Sequence, residues 1–211
     1  MLAAHLRFAE LDGHVVVLDL PADRYRRLSR ELSRIVLASQ DGLPHPDEFE
    51  QLTAFGLLDP SGPGRPYSPA AIACATEEAL GDTAAMPLAG FSLAAFSSLI
   101  MTRRTLATRG FASMVARAER LSQQCNRTNT PLTARIARDF ERTRNWFPGE
   151  RRCLPDGLAL HALLARQRLR STLVIGIRDQ PFAAHCWVQS GGCVLTDTRD
   201  MIAELTPILV I

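Results

Sequence analysis

Cys153-Leu-Pro-Asp-Gly-Leu-Ala-Leu-His-Ala-Leu-Leu164, together with the stretches at 171–177, 183–190 and 193–198 that follow it, decides the fold. The first is apolar over a helical length and carries Pro155 in its first turn, where a missing N–H costs nothing. The others read as strands, and Gly191-Gly192 between the last two reads as a hairpin turn. A helix followed by antiparallel strands defines an α+β domain.

Toward the N-terminus, residues 86–107, 112–124 and 131–144 read as helices separated by Gly110 and by Asn126-Arg-Thr-Asn129. Residues 83–102 carry no charge over a length that suits a membrane span, but Pro87, Gly90, Ser92, Ser97 and Ser98 leave the stretch only moderately apolar. It reads as a buried helix, and no membrane contact is expected. Asp59-Pro-Ser-Gly-Pro-Gly-Arg-Pro66 is a loop or linker. Before it, residues 6–11, 14–20 and 24–28 read as short strands. Ser29 then precedes a helix with Leu32, Ile35 and Val36 on one face, and residues 46–58 form another. The expectation is a small winged-helix-like domain over 1–82, a three-stranded sheet plus helices, followed by an α+β domain with an antiparallel sheet over 83–211.

Charge separates the same two parts. Residues 1–82 hold 7 Arg against 13 acidic residues, whereas 83–211 hold 17 Arg against 9. An acidic first part repels phosphates, so a winged-helix DNA binder is disfavoured and no nucleic-acid partner is expected. All 24 basic residues are Arg, spread along the chain, a bias of composition and not a binding patch. Arg103, Arg104, Arg109, Arg117 and Arg120 read as a solvated helix face, with contact to an acidic partner as the alternative. Five cysteines, an odd number with no C-x-x-C pair, and an N-terminus without a signal-peptide pattern point to a reduced, cytoplasmic protein.

Cys153 stands at the start of the apolar helix, where outward N–H groups and the helix dipole stabilise a thiolate; Arg151 and Arg152 add to that field. His185 and Asp197 follow on the strands. A helix-borne Cys with a His and a carboxylate on later strands is the arrangement of papain-like thiol enzymes, in which the imidazole takes the thiol proton and the carboxylate orients the ring. For Asp197 to lie across from His185, the hairpin must pair Gln189 with Cys193, so the expected loop is Ser190-Gly191-Gly192 with Gly192 at positive φ. His5, His14, His45 and His161 show no metal-ligand spacing, and Gly62-Pro-Gly64 and Gly191-Gly192 match no phosphate-binding loop, so neither metal nor cofactor is expected.

Four blocks carry a resemblance: Arg152-Cys-Leu154, Leu158-Ala-Leu-His-Ala-Leu-Leu164, Val174-Ile-Gly-Ile-Arg178 and Pro181-Phe-Ala-Ala-His-Cys-Trp-Val188. In this order they resemble the transglutaminase-like leader peptidases of lasso-peptide biosynthesis. The chain departs from that pattern at Pro155-Asp-Gly157, where a basic residue and Ser are usual, at Cys186, where Ala is frequent, and at Gln189, where Glu is common. The resemblance implies a transglutaminase/papain-like fold with Cys153 as nucleophile, His185 as base and then acid, and Asp197 as orienter.

The N-terminal part adds a second resemblance. Val15-Val-Val-Leu-Asp-Leu20 and Asp23-Arg-Tyr-Arg-Arg-Leu28 are similar to the precursor-recognition element of ribosomal peptide-modifying enzymes, related to the pyrroloquinoline-quinone peptide chaperone. Such modules take a leader peptide as an added strand. This implies that Arg24, Tyr25, Arg26, Arg27 and Leu28 form the edge that binds it, with the Arg26 N–H among the donors; alternatively Tyr25 and Leu28 only pack the domain. Taken together, the resemblances imply a cysteine peptidase that removes the leader from a ribosomally made lasso precursor and frees a core α-amine. A separate asparagine-synthetase-like, ATP-dependent cyclase would then close the macrolactam. The alternatives are an acyltransferase using the same triad and a non-catalytic precursor carrier.

Overall fold

The computed structural model describes residues 2–39, 45–58, 67–79 and 89–211. The linker expected at 59–66 and the boundary expected at 82/83 lie outside them. Strands β1 (Leu6–Leu11), β2 (His14–Asp19) and β3 (Arg24–Arg27) form an antiparallel sheet in that order. Helix α1 (Arg30–Ala38) starts where expected, with the Ser29 hydroxyl accepting the Leu32 N–H at 3.2 Å. Helix α2 (Pro46–Ala54) stops short of residue 58, and Leu57 and Leu58 turn into the core instead.

The apolar run of β2 reflects burial on both faces. Val15 and Val17 pack with Leu32, Ile35 and Val36, while Val16 and Leu18 belong to the same buried cluster as Leu99, Phe140, Leu160 and Ile175 of the C-terminal part. The first sheet therefore packs one of its faces against the C-terminal part of the chain.

The rest of the chain consists of α3 (Ala89–Gln123), α4 (Thr130–Trp146), α5 (Cys153–Arg166) and a five-stranded sheet with the short α6 (Arg199–Ala203). The two helices expected on either side of Gly110 run on as α3, with a kink at that residue, which sits at φ 74°. The sheet holds β4 (Glu77–Glu78), β5 (Thr172–Arg178), β6 (Ala183–Ser190), β7 (Cys193–Val194) and β8 (Thr206–Val210), in the order β4-β7-β6-β5-β8. Its pairings are antiparallel except β4 with β7. Helix α5 lies between α3 and the sheet, with Leu160 and Leu164 fully buried. The architecture is α+β. No described helix is long and apolar enough to cross a membrane.

The β6–β7 hairpin corrects the expected register. Ser190 pairs with Cys193 and Gln189 with Val194, so the turn is the two-residue Gly191-Gly192, and Gly191, not Gly192, has positive φ at 58°. The tight turn matches strand twist, and Gly192 lies against the segment just ahead of β4: a Cβ there would stand 2.8 Å from Thr76 Oγ1. The expected strand 193–198 is also shorter, ending at Val194. The Leu195 N–H still donates to Val188 O at 2.8 Å, but the Val188 N–H is taken by Thr196 Oγ1 at 3.0 Å, and the chain leaves the ladder there.

Candidate active site

Helix α5 begins with the nucleophile candidate itself. Arg152 is the N-cap and makes no side-chain capping bond, and Cys153 is exposed at the helix head. His185 comes from β6, opposite Gly176 of β5. Asp197 comes from the segment that leaves β7, and its Oδ2 lies 2.8 Å from His185 Nε2. The bend after Leu195 thus achieves by departure from the sheet what the expected register would have achieved by pairing. With Nε2 engaged by Asp197, Nδ1 is the ring nitrogen left for the sulfur.

The electrostatics follow this chain of contacts. His185 is raised from 6.5 to about 10, first by its hydrogen bond to Asp197, then by that to Cys153, against the desolvation that lowers it. For Cys153 burial pushes the thiol up, but the His185 ring, the backbone N–H of Cys186, the His185 charge and the backbone N–H of Leu154 together hold it below its ordinary value. A thiolate–imidazolium pair is the state these shifts favour. Burial raises the thiols of Cys125, Cys186 and Cys193, so the field at Cys153 is not shared by those three. Among the described residues no cluster of three or more His, Cys, Asp or Glu side chains is gathered to hold a metal.

An open cleft of about 760 Å³ adjoins Cys153, lined on one side by Arg103, Leu106 and Ala107 of α3 and on the other by residues 150–155. Arg103, read from sequence as part of a solvated face, instead pairs with Asp156 at 3.3 Å. Gly157 explains a departure from the family pattern: a Cβ there would stand 3.3 Å from Cys186 Sγ, so the missing side chain accommodates the sulfur facing it across the helix–sheet contact.

The N-terminal candidates divide by face. Arg24 is exposed, and the Arg26 guanidinium reaches Phe55 O at 3.3 Å beside α2. Tyr25 and Arg27 face the other way. The Tyr25 ring sits 5.4 Å from that of Phe182, just ahead of β6, and Arg27 pairs with Asp179 at 3.1 Å. Tyr25 is raised to about 12, chiefly by burial, with smaller contributions from Asp23, Cys186 and Cys153. Leu28 is buried in the N-terminal core. The Leu28 N–H donates to Val15 O at 2.9 Å. By the alternation of an antiparallel ladder, Arg26 also bonds inward, toward Val17, and the peptide groups of Tyr25 and Arg27 are those on the outer edge. The Arg26 N–H is therefore not the edge donor expected from sequence. The Tyr25–Phe182 and Arg27–Asp179 contacts join elements far apart in the chain, and no local pattern could have disclosed them.

The described residues thus bring a helix-headed Cys, a strand His and a carboxylate together, and the sequence profile of the transglutaminase-like superfamily matches residues 96–210. The chain belongs to that superfamily. It is also similar to the microcin J25-processing protein McjB of Escherichia coli, at 41% identity over 56 residues, a stretch covering 26% of this chain and 27% of McjB. No solved structure matches the chain.

Proposed function

We propose that the protein is a leader peptidase of lasso-peptide maturation, in which residues 1–82 hold the leader along the free edge of β3 and residues 83–211 cut it off. The observation that carries this reading is the 2.8 Å bond between His185 Nε2 and Asp197 Oδ2, with the His185 ring among the influences that hold the Cys153 thiol below its ordinary value. Membership of the transglutaminase-like superfamily and the local similarity to a microcin-processing protein support it.

In this mechanism the Cys153 thiolate attacks the carbonyl carbon that joins leader to core. The oxyanion forms beside the N–H groups of the first helical turn, which carry the positive end of the α5 dipole. The His185 imidazolium gives its proton to the leaving nitrogen, the C–N bond breaks, and the core departs with a free α-amine while the leader stays as a thioester on Cys153. Water then attacks the thioester, His185 takes its proton, and the leader leaves as a carboxylic acid as the thiolate returns. Asp197 keeps the ring oriented throughout and stabilises its charged form before acylation and again after water has given up its proton. The amine so released is what an asparagine-synthetase-like cyclase, activating a side-chain carboxylate with ATP, would join into a ring.

The test is to mix the protein with the short precursor encoded beside its gene and weigh the products. Leader acid plus core amine supports peptidase action, and the Cys153→Ala variant should yield neither while still binding the leader. Binding without any cleavage by the intact protein would favour the carrier, and transfer of the leader acyl group to an added amine in place of water would favour an acyltransferase.

A further inference from the structure

Behind Cys153 stands a second polar cluster that the mechanism above does not use. Asp156 Oδ2 accepts from Arg144 Nε at 2.8 Å and from the Arg152 backbone N–H at 3.2 Å, while Oδ1 accepts from Arg103 Nη2 at 3.3 Å. The same guanidiniums hold the chain that leads into α5. Arg103 donates to Glu150 O at 2.7 Å, and Arg144 donates to Phe147 O and Gly149 O, both at 3.3 Å, and also to Glu150 O. Both lie over the Phe147 ring, at 4.9 and 5.5 Å. Arg144 is 2% exposed, so its charge is bound into the fold.

This arrangement solves two problems at once. A helix start is ordinarily capped by a side chain that folds onto the N–H groups of the first turn, which would occupy the donors that face an oxyanion. Here the cap comes from within the helix: Asp156 reaches back to the N–H of Arg152, and the Arg152 side chain makes no capping bond. Pro155 has no N–H, so Cys153 and Leu154 present the first-turn donors. The second problem is charge. A carboxylate one turn from a thiolate opposes it, but two guanidiniums convert the local balance from negative to positive.

We propose that Arg103, Asp156 and Arg144 form a positioning network for Cys153, which fixes the start of α5, keeps its first-turn N–H groups clear of a side-chain cap, and cancels the charge of its own carboxylate. The inference rests on the thiol chemistry proposed above. Other charged or titratable groups that bear on Cys153 are His185 with Asp197 behind it, Cys186 on β6, Tyr25 on β3, and Glu150, Arg151 and Arg152 in the approach to the helix.

The test measures the rate of Cys153 alkylation by iodoacetamide against pH in the full chain, with the labelled residue identified by peptide mass, alongside kcat for precursor cleavage. Arg103→Gln, at a partly exposed position, should raise the alkylation midpoint by about half a unit to one unit and lower kcat several-fold. Arg103→Lys, which keeps the charge, should restore most of both. Asp156→Asn keeps an acceptor for the Arg152 N–H and should shift the midpoint the opposite way, downward. Opposite shifts are what a network acting through charge requires; equal midpoints, or shifts in one direction for both variants, overturn it. A wild-type midpoint at the ordinary thiol value overturns the thiol reading itself, whereas a low wild-type midpoint unmoved by these variants removes only the network.

Discussion

Asp197 meets His185 from a segment that has already left the sheet: its Oδ2 lies 2.8 Å from Nε2 although strand β7 ended at Val194. The carboxylate holds the imidazole protonated, and the imidazolium in turn holds the thiol down. The active pair therefore exists above the lowered Cys153 value and below the His185 value of about 10. Cleavage should rise as Cys153 loses its proton and fall again as His185 loses its own near pH 10. In Asp197→Asn the largest cause of the raised His185 value is gone, so the alkaline limb should move down toward the ordinary histidine range, with kcat lower by about a hundredfold or more. A kcat–pH profile of the two proteins checks this, and an unmoved alkaline limb contradicts it.

Thr196 makes the departure possible because its Oγ1 accepts the Val188 N–H at 3.0 Å. Thr196→Val leaves that strand donor without an acceptor and should cost about 1–3 kcal/mol of stability. Because Asp197 is the next residue, kcat should fall as well. Thr196→Ser retains the hydroxyl and should keep both properties near wild type. Denaturant unfolding together with kcat at saturating precursor separates the two effects.

Gly157 and Cys186 form a size-matched pair across the helix–sheet contact, since any Cβ at 157 would stand 3.3 Å from the sulfur. Gly157→Ser alone should cost about 1–3 kcal/mol through overpacking. Cys186→Ala, added to it, removes the opposing sulfur and should return part of that loss, giving a non-additive double-mutant cycle. Thermal unfolding of the four proteins measures the coupling, and strict additivity would count against the contact.

The outer edge of β3 presents the peptide groups of Tyr25 and Arg27, so Arg27→Pro deletes an outward donor. Leader affinity should fall by about tenfold, the worth of roughly one hydrogen bond. Arg27→Ala loses the Asp179 ion pair yet keeps the N–H, and should bind the leader nearly as wild type does. Fluorescence anisotropy with a labelled synthetic leader distinguishes them; equal loss in both variants would place binding on the side chain, not the edge.

Local pattern made much of this molecule legible in advance. The strands of the first sheet, the Ser29 cap, the helix that begins at Cys153 and the order Cys153, His185, Asp197 all depend on neighbours within a few residues. What escaped was decided by distant contacts. The two-residue turn sets Gly192 against Thr76, just ahead of a strand of two residues that no periodicity reveals. Strand β8 was overlooked, although Ile208 and Leu209 are buried against the sheet. Arg103 looked solvated because its partner, Asp156, lies 53 positions further along the chain. The face of β3 that meets Phe182 and Asp179 was equally hidden, being a product of how the first sheet docks on the second unit.

The central claim is that Cys153 forms a covalent acyl intermediate with the leader, and trapping that intermediate tests it most directly. The protein is mixed with precursor, quenched in acid during the first turnover, digested and weighed. The account predicts a thioester between the leader carboxyl carbon and the sulfur of Cys153, absent from Cys153→Ala, which also fails to cleave. Leader attached to another cysteine, or cleavage that persists in Cys153→Ala, would contradict it.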